Sequence, residues 1–421
     1  MKNNNEMSYW PTKLALLLIY LIFAILLNSV GTVILQSINF YQVSKSSASL
    51  LEGFKDIPIA LVSFVAASYL PRLGYKNSMT LGLMIVSIAC FLMPLIPSFL
   101  MTKMLFLCIG VAFALVKVSV YATIGVITNN PNSHASLLNG IEGFFMVGVL
   151  SGYWIFSAFV DVENPNSADW LQVYFWLSGA CLLNIVFLRV TPFAEPVKSE
   201  LTDVKKMNII SMLQLMYQPM VYVFIIAAFL YVLIEQSIGT WLPTFNNEIL
   251  KLPIDISIQI TSIFAACIAI GRLSASAILQ RVNWYSLLMA CLILMAILIL
   301  LVMPLTAGIQ EGHQIGWSEL PIAAWIFPLI GLFMAPIYPA INSVILSALP
   351  RYQHASMTGL IVVFSALGGT FGSLLTGQIF ANFNGQIAFY ATLVPIAAIM
   401  LAVNRLNHLL QCRTVELASA D

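Results

Sequence analysis

Long apolar runs, separated by short polar breaks, repeat along the whole chain. A helix that crosses a bilayer needs about 20 mainly apolar residues, and twelve stretches reach that length. Six lie near 12–37, 48–71, 76–98, 101–127, 135–161 and 170–191. After a polar interval, six more lie near 218–245, 255–280, 283–305, 319–346, 354–380 and 385–408. The first run follows a polar leader, MKNNNEMSYWPTK. It continues too far for a cleaved signal segment with a small-residue exit site, so it is read as a retained helix. The pattern predicts an all-α polytopic membrane protein.

Composition agrees with that pattern. Of 421 residues, 60% are hydrophobic and only 8% charged, where an ordinary soluble domain carries about 25% charged residues. With 18 Lys+Arg and 17 Asp+Glu, most of the outer face must be solvated by lipid. A net charge of +1 and the lack of a basic block exclude a nucleic-acid partner. The six cysteines are scattered without a CxxC pair and read as packing groups. His134, His313, His354 and His408 have no metal-site spacing. Neither a phosphate-cradling Gly-rich loop, nor GxSxG, nor HExxH is present. No enzyme activity, cofactor or metal is expected.

Basic residues gather on the cytoplasmic side of short loops. With the N-terminus inside, twelve of the eighteen are cytoplasmic; Lys45, Lys103 and Lys251 lie outside, and Lys55, Lys117 and Arg272 fall within spans. Both termini are thus expected in the cytoplasm, the protein being a multi-pass resident of the bacterial inner membrane and a monomer. The longest cytoplasmic connection carries Lys198, Lys205 and Lys206 and ends in the amphipathic MNIISMLQLM, suited to the interface. The expected organisation is a six-helix bundle over 1–195, a linker with an interfacial helix over 196–217, and a second six-helix bundle over 218–421.

The halves share a register. His134-Ala135-Ser136 recurs as His354-Ala355-Ser356, and at the same offset of 220 Gly148 and Gly152 match Gly368 and Gly372. Small residues four apart allow close helix approach in lipid. Six-helix halves related as parallel repeats are the design of the major facilitator superfamily. The run Tyr69-Leu70-Pro71-Arg72-Leu73-Gly74-Tyr75-Lys76 resembles a form of that family's signature between spans two and three without its usual aspartate, and Gly271-Arg272-Leu273 with Arg281 resembles the matching element of the second half. The segment Glu235-Gln236-Ser237-Ile238-Gly239-Thr240-Trp241-Leu242 is similar to the E-x-S-I-G segment of fucose:proton symporters and related sugar carriers. So are Ala335-Pro336-Ile337-Tyr338-Pro339 and Ser365-Ala366-Leu367-Gly368-Gly369. The resemblance implies two pseudo-symmetric bundles, with a substrate bound between them near the midplane. Where that sugar group implies carboxylates in spans one and four, this chain has Asn28 and Lys117.

A charge inside a span costs at least ~2.5 to 3.5 kcal/mol on insertion scales, so each needs a partner, water or a task. Seven are present: Glu52, Lys55, Asp56, Lys117, Glu142, Glu235 and Arg272. Glu52 and Asp56 are expected at a solvated outer helix end, and Lys117 in an ion pair with Glu142. Four carboxylates face three cations, leaving one carboxylate short of an ionic partner. Glu235, with no basic residue in its own span, is the first proton-coupling residue to test, and Glu142 the second. Glu142 and Arg272 are expected to form a gate. Asn28, Lys117, Tyr121, Gln236, Trp241, Tyr338 and Asn342 could contact the substrate. Pro336 and Pro339 are expected to break span ten. These features suggest a secondary transporter of a small polar, sugar-like solute, coupled to protons and working by alternating access. An organic-anion or metal-chelate carrier stays open, as does a transporter-like receptor or scramblase.

Overall fold

A computed structural model describes residues 10–128, 131–192, 214–279, 281–306, 309, 316–350 and 353–420. Among them every long element is a helix, and none is a strand. All twelve runs are helical, with ends within several residues of the hydropathy limits. They are Trp10–Asn28 continued by Val30–Phe40, Leu50–Leu73, Tyr75–Leu95, Phe99–Ile127, Pro131–Ser157, Val173–Val190, Pro219–Gly239 continued by Leu242–Glu248, Ile254–Ile278, Trp284–Leu305, Ile322–Met334 continued by Ile337–Ala348, His354–Asn382, and Gly385–Tyr390 continued by Leu393–Ala420. Eleven are long and apolar enough to cross a membrane. The other, Leu50–Leu73, has the length but carries Glu52, Lys55 and Asp56. Large apolar side chains such as Leu183, Val190, Leu273 and Leu401 stay more than 70% exposed on these helices, which only acyl chains can solvate comfortably. The chain is an integral multi-pass membrane protein.

Four spans are interrupted, whereas the sequence pattern predicts a break in span ten alone. Three interruptions share a cause: proline removes a backbone donor and clashes with the carbonyl four residues earlier. Pro339 acts on Ala335, as expected. Pro243 acts in the same way on Gly239, where span seven breaks before Trp241, and Pro395 on Ala391, where span twelve breaks. Span one yields at Ser29 for another reason. Asn28 Nδ2 donates to the Ala24 carbonyl at 2.9 Å and Ser29 Oγ to that of Leu26 at 2.8 Å. Such side-chain bonds compete with the helical ladder.

Helix pairing repeats from half to half. Spans one and five, three and four, and three and six pack together, as do seven and eleven, nine and ten, and nine and twelve. The registered glycines explain one pairing. A Cβ on Gly148 would strike Leu21 O and Ala24 Cβ of span one, both at 2.7 Å, and one on Gly368 would strike the backbone of Phe229 in span seven. Gly152 and Gly372 repeat the arrangement one turn on, against Ile25 and Leu233. The pattern read from the sequence thus marks the same helix contact in each half.

By contacts the chain forms two units, one of Met1–Val43 with Phe54–Lys206, the other of Ser44–Gly53 with Met207–Asp421. The expected linker 196–217 and its amphipathic stretch lie almost wholly outside the described residues. Ser44–Gly53 joins the second unit through specific contacts. Lys45 Nζ meets Glu248 Oε2 at 2.5 Å and lies 4.6 Å above the Phe380 ring. The Ser49 backbone carbonyl accepts from Ser373 Oγ at 3.3 Å.

Candidate functional site: two tyrosine pairs flanked by acid and base

Within the first unit, four-residue spacing places Lys117 and Tyr121 on one face of span four. Tyr121 stacks on Tyr20 of span one, ring centroids 6.4 Å apart and planes 28° from parallel. Tyr20 is buried, edged by Phe113 and Phe145 at 6.2 and 6.0 Å. Its hydroxyl makes no hydrogen bond among the described atoms. Tyr121 OH donates to Glu142 Oε1 of span five at 2.7 Å. The ammonium of Lys117 lies over Phe113 and Tyr121, 5.7 and 5.9 Å from their centroids, within cation–π range.

This arrangement corrects one expectation. Lys117 and Glu142 do not form an ion pair; no cation among the described residues comes within ion-pair distance of Glu142. A tyrosine hydroxyl holds the carboxylate instead. Glu142 and Tyr121 are both exposed, so the polar end of the cluster is reachable.

Corresponding spans of the second unit build a similar group. Tyr231 of span seven stacks on Tyr338 of span ten at 5.3 Å and 24°. Tyr231 OH donates to Glu235 Oε1 at 3.4 Å, four residues on along the same face. Tyr338 OH lies 2.9 Å from Ser365 Oγ of span eleven. Asn342, one turn beyond Tyr338, has a buried Oδ1 with no hydrogen-bond partner among the described residues, and such an acceptor is open to a solute hydroxyl. Relative to the glycine contacts, Tyr231 lies three residues, about one turn, further along span seven than Tyr20 along span one.

The charge count that left Glu235 without an ionic partner is also corrected. Arg272 of span eight brings its guanidinium to 3.7 Å from Glu235 Oε1, with the two side chains 44% and 23% exposed. A pair so open remains accessible to water or solute. Counting residues missed it because the partner comes from another span. The expected gate residues Glu142 and Arg272 are thus each engaged within their own unit.

The remaining predicted contacts divide. Gln236 Oε1 accepts from Thr240 Oγ1 at 3.2 Å and is only partly buried. Asn28 binds its own helix. Trp241 is fully buried, stacks on Phe380 at 5.5 Å and donates its indole N–H to Ser373 O at 3.1 Å, so its ring serves packing. Glu52 and Asp56 are not at a solvated helix end. Glu52 is 0% exposed and accepts from Thr240 Oγ1 at 3.1 Å. Asp56 is buried too, 3.5 Å from Lys55 Nζ. Sequence reasoning missed Tyr20, Tyr231 and Ser365; the available signal was tyrosine at matching depth in spans one and four, then seven and ten. Among the described residues no three His, Cys, Asp or Glu side chains converge as a metal site would require.

Residues 14–373 match the Major Facilitator Superfamily. A glucose/galactose transporter of Brucella abortus biovar 1 (strain 9-941) is 24% identical over 376 residues, which cover 86% of this chain and 85% of that protein. In fold, the chain is similar to a bacterial homolog of the human lysosomal transporter Spinster in its inward-facing and occupied conformation (TM-score 0.77, 15% identity, covering 96% of this chain and 98% of that one). It is also similar to the nucleoside transporter NupG (TM-score 0.70, 14% identity, 94% and 98%) and to the E. coli fucose:proton symporter FucP (TM-score 0.60, 16% identity, 95% and 99%). A family match across most of the chain, with a twelve-helix fold repeated in two halves, makes this protein a member of the major facilitator superfamily of transporters.

Proposed function

We propose that the protein is a proton-coupled sugar symporter that works by alternating access. The observation that carries this reading is the pair of tyrosine clusters, each with one carboxylate and one cation: Glu142 with Lys117, and Glu235 with Arg272. Aromatic faces suit the apolar C–H faces of a pyranose, and a few polar groups at the edge fix its hydroxyls. One negative and one positive group per cluster leaves no net charge to attract an anion, which favours a neutral solute over the organic anion or metal chelate. The 24% identical glucose/galactose transporter points the same way. Glu235 and Glu142, each held by a tyrosine hydroxyl, are the carboxylates we assign to coupling, while Gln236, Tyr338 and Asn342 supply hydrogen bonds to the solute.

Proteoliposomes given an acidic outside should concentrate labelled glucose or galactose, and a protonophore should abolish the accumulation. Downhill equilibration alone would remove the coupling; accumulation of carboxylates or siderophores in place of hexoses would remove the sugar.

The twelve-to-three distribution of basic residues supports a topology with both termini cytoplasmic. In intact cells a cysteine replacing Gln314 should react with an impermeant maleimide, and one replacing Ser199 should be protected. The reverse pattern would overturn this topology.

A further inference from the structure

A serine or threonine hydroxyl within a helix can return its hydrogen to the carbonyl four residues earlier. Thr80, Ser119, Thr123 and Ser274 do so, at 2.7 to 2.8 Å. Ser365 of span eleven is turned elsewhere: its Oγ meets Tyr338 OH of span ten at 2.9 Å. Two hydroxyls in contact use one hydrogen between them, whichever donates, and keep the other for a third group. The Asn342 side chain faces the same Tyr338 hydroxyl. It either leaves that hydrogen free or accepts it and presents its own amide hydrogens in exchange. The three side chains therefore offer a donor outward in both arrangements, and all three are partly exposed.

We propose that Ser365 is a specificity-determining residue, which together with Tyr338 binds one ring hydroxyl of the transported hexose. The assignment rests on the sugar reading given above and adds to it a residue that reads the solute. Packing holds the two hydroxyls in place. Ser365 stands about one turn before Gly368, where span eleven lies directly against the backbone of Phe229 in span seven. From span seven, Tyr231 stacks on the Tyr338 ring at 5.3 Å and 24°. Three spans thus fix the direction in which the Tyr338 and Ser365 hydroxyls point, as a site must if it is to select by hydrogen bonding. An aromatic face beside a fixed hydroxyl pair suits a sugar ring, which presents C–H groups on its faces and hydroxyls at its edge.

Counterflow of labelled glucose in proteoliposomes of the full-length protein, inhibited by glucose or by each monodeoxyglucose, tests it. A site that hydrogen-bonds a substrate hydroxyl rejects the analogue lacking it, so the wild type should bind one deoxy sugar about tenfold more weakly than glucose. Ser365→Ala should weaken glucose by about the same factor and leave that deoxy sugar unchanged. Discrimination against the other deoxy sugars, and the melting temperature, should stay as in the wild type. Tyr338→Phe should erase the same discrimination, and the double variant should lose nothing further. Ser365→Cys, close in shape but a weak donor, should repeat the loss, so that a folding defect in one variant does not decide the result. A loss shared equally by glucose and all its deoxy forms would make Ser365 a packing group and overturn the proposal. So would a wild type indifferent to every hydroxyl, or unaltered discrimination in Ser365→Ala. A wild type that carries no hexose would end the sugar reading and this assignment together, whereas a defect confined to the variants' discrimination bears on Ser365 alone.

Discussion

Glu235→Gln should exchange solute across a membrane and fail to concentrate it. The glutamine keeps the shape of a protonated glutamate and can still accept from Tyr231 OH, which now reaches Glu235 Oε1 at 3.4 Å. An intramembrane hydrogen bond averages only ~0.6 kcal/mol, so counterflow should stay within about threefold of the wild-type rate. Accumulation has a different requirement. Under the proposed coupling, a proton on Glu235 would also dissolve its ion pair with Arg272, 3.7 Å away, and that loss of charge is the coupling event. Glutamine cannot go through that event. Arg272 is 44% exposed and can be solvated once its partner is neutral, so the variant should fold. Counterflow and pH-driven uptake are to be measured in the same vesicles. Undiminished accumulation by Glu235→Gln would take this residue out of coupling and leave Glu142.

The largest effect on stability should come from Gly368→Leu. The first added carbon would run into the backbone carbonyl of Phe229, which cannot rotate away as a side chain can. Spans seven and eleven would have to part, and they are also joined through Ser237 Oγ to Gly372 O at 3.1 Å. Overpacking of this kind costs about 3 kcal/mol or more where backbone is the obstacle. Gly179→Leu is the control, because a Cβ there meets nothing within 4 Å. Thermal unfolding of the two variants in detergent should show a large loss for position 368 and little change for 179. Equal melting of both would refute the close-contact role of the glycine.

These two positions differ in how much the sequence reveals. The Gly368 contact can be read from the chain, since Gly148 and Gly152 return in register as Gly368 and Gly372, and close packing in lipid depends on small residues at that spacing. The ion pair of Glu235 cannot be read, because no periodicity shows which residue of another span lies beside it. Prolines fall between these cases. Pro339, Pro243 and Pro395 stand equally plainly in the sequence, and all three break their spans. Yet Pro94, Pro304 and Pro328 lie inside continuous helices, so packing decides which prolines interrupt a span.

The twelve spans, the membrane as solvent and the repeat were determined by the sequence alone, because each follows from local hydropathy and spacing along one helix. Same-face pairs such as Lys117 with Tyr121 and Tyr231 with Glu235 follow from the helical period in the same way. Only the tertiary structure decided that Tyr20 stacks on Tyr121 and Tyr231 on Tyr338, that Tyr121 rather than Lys117 holds Glu142, and that Glu52 is buried against Thr240. Those contacts join residues tens to almost two hundred positions apart. In a bilayer hydropathy cannot choose among partners, because lipid is as apolar as the helices it surrounds; side-chain shape and hydrogen bonding across helices make the choice.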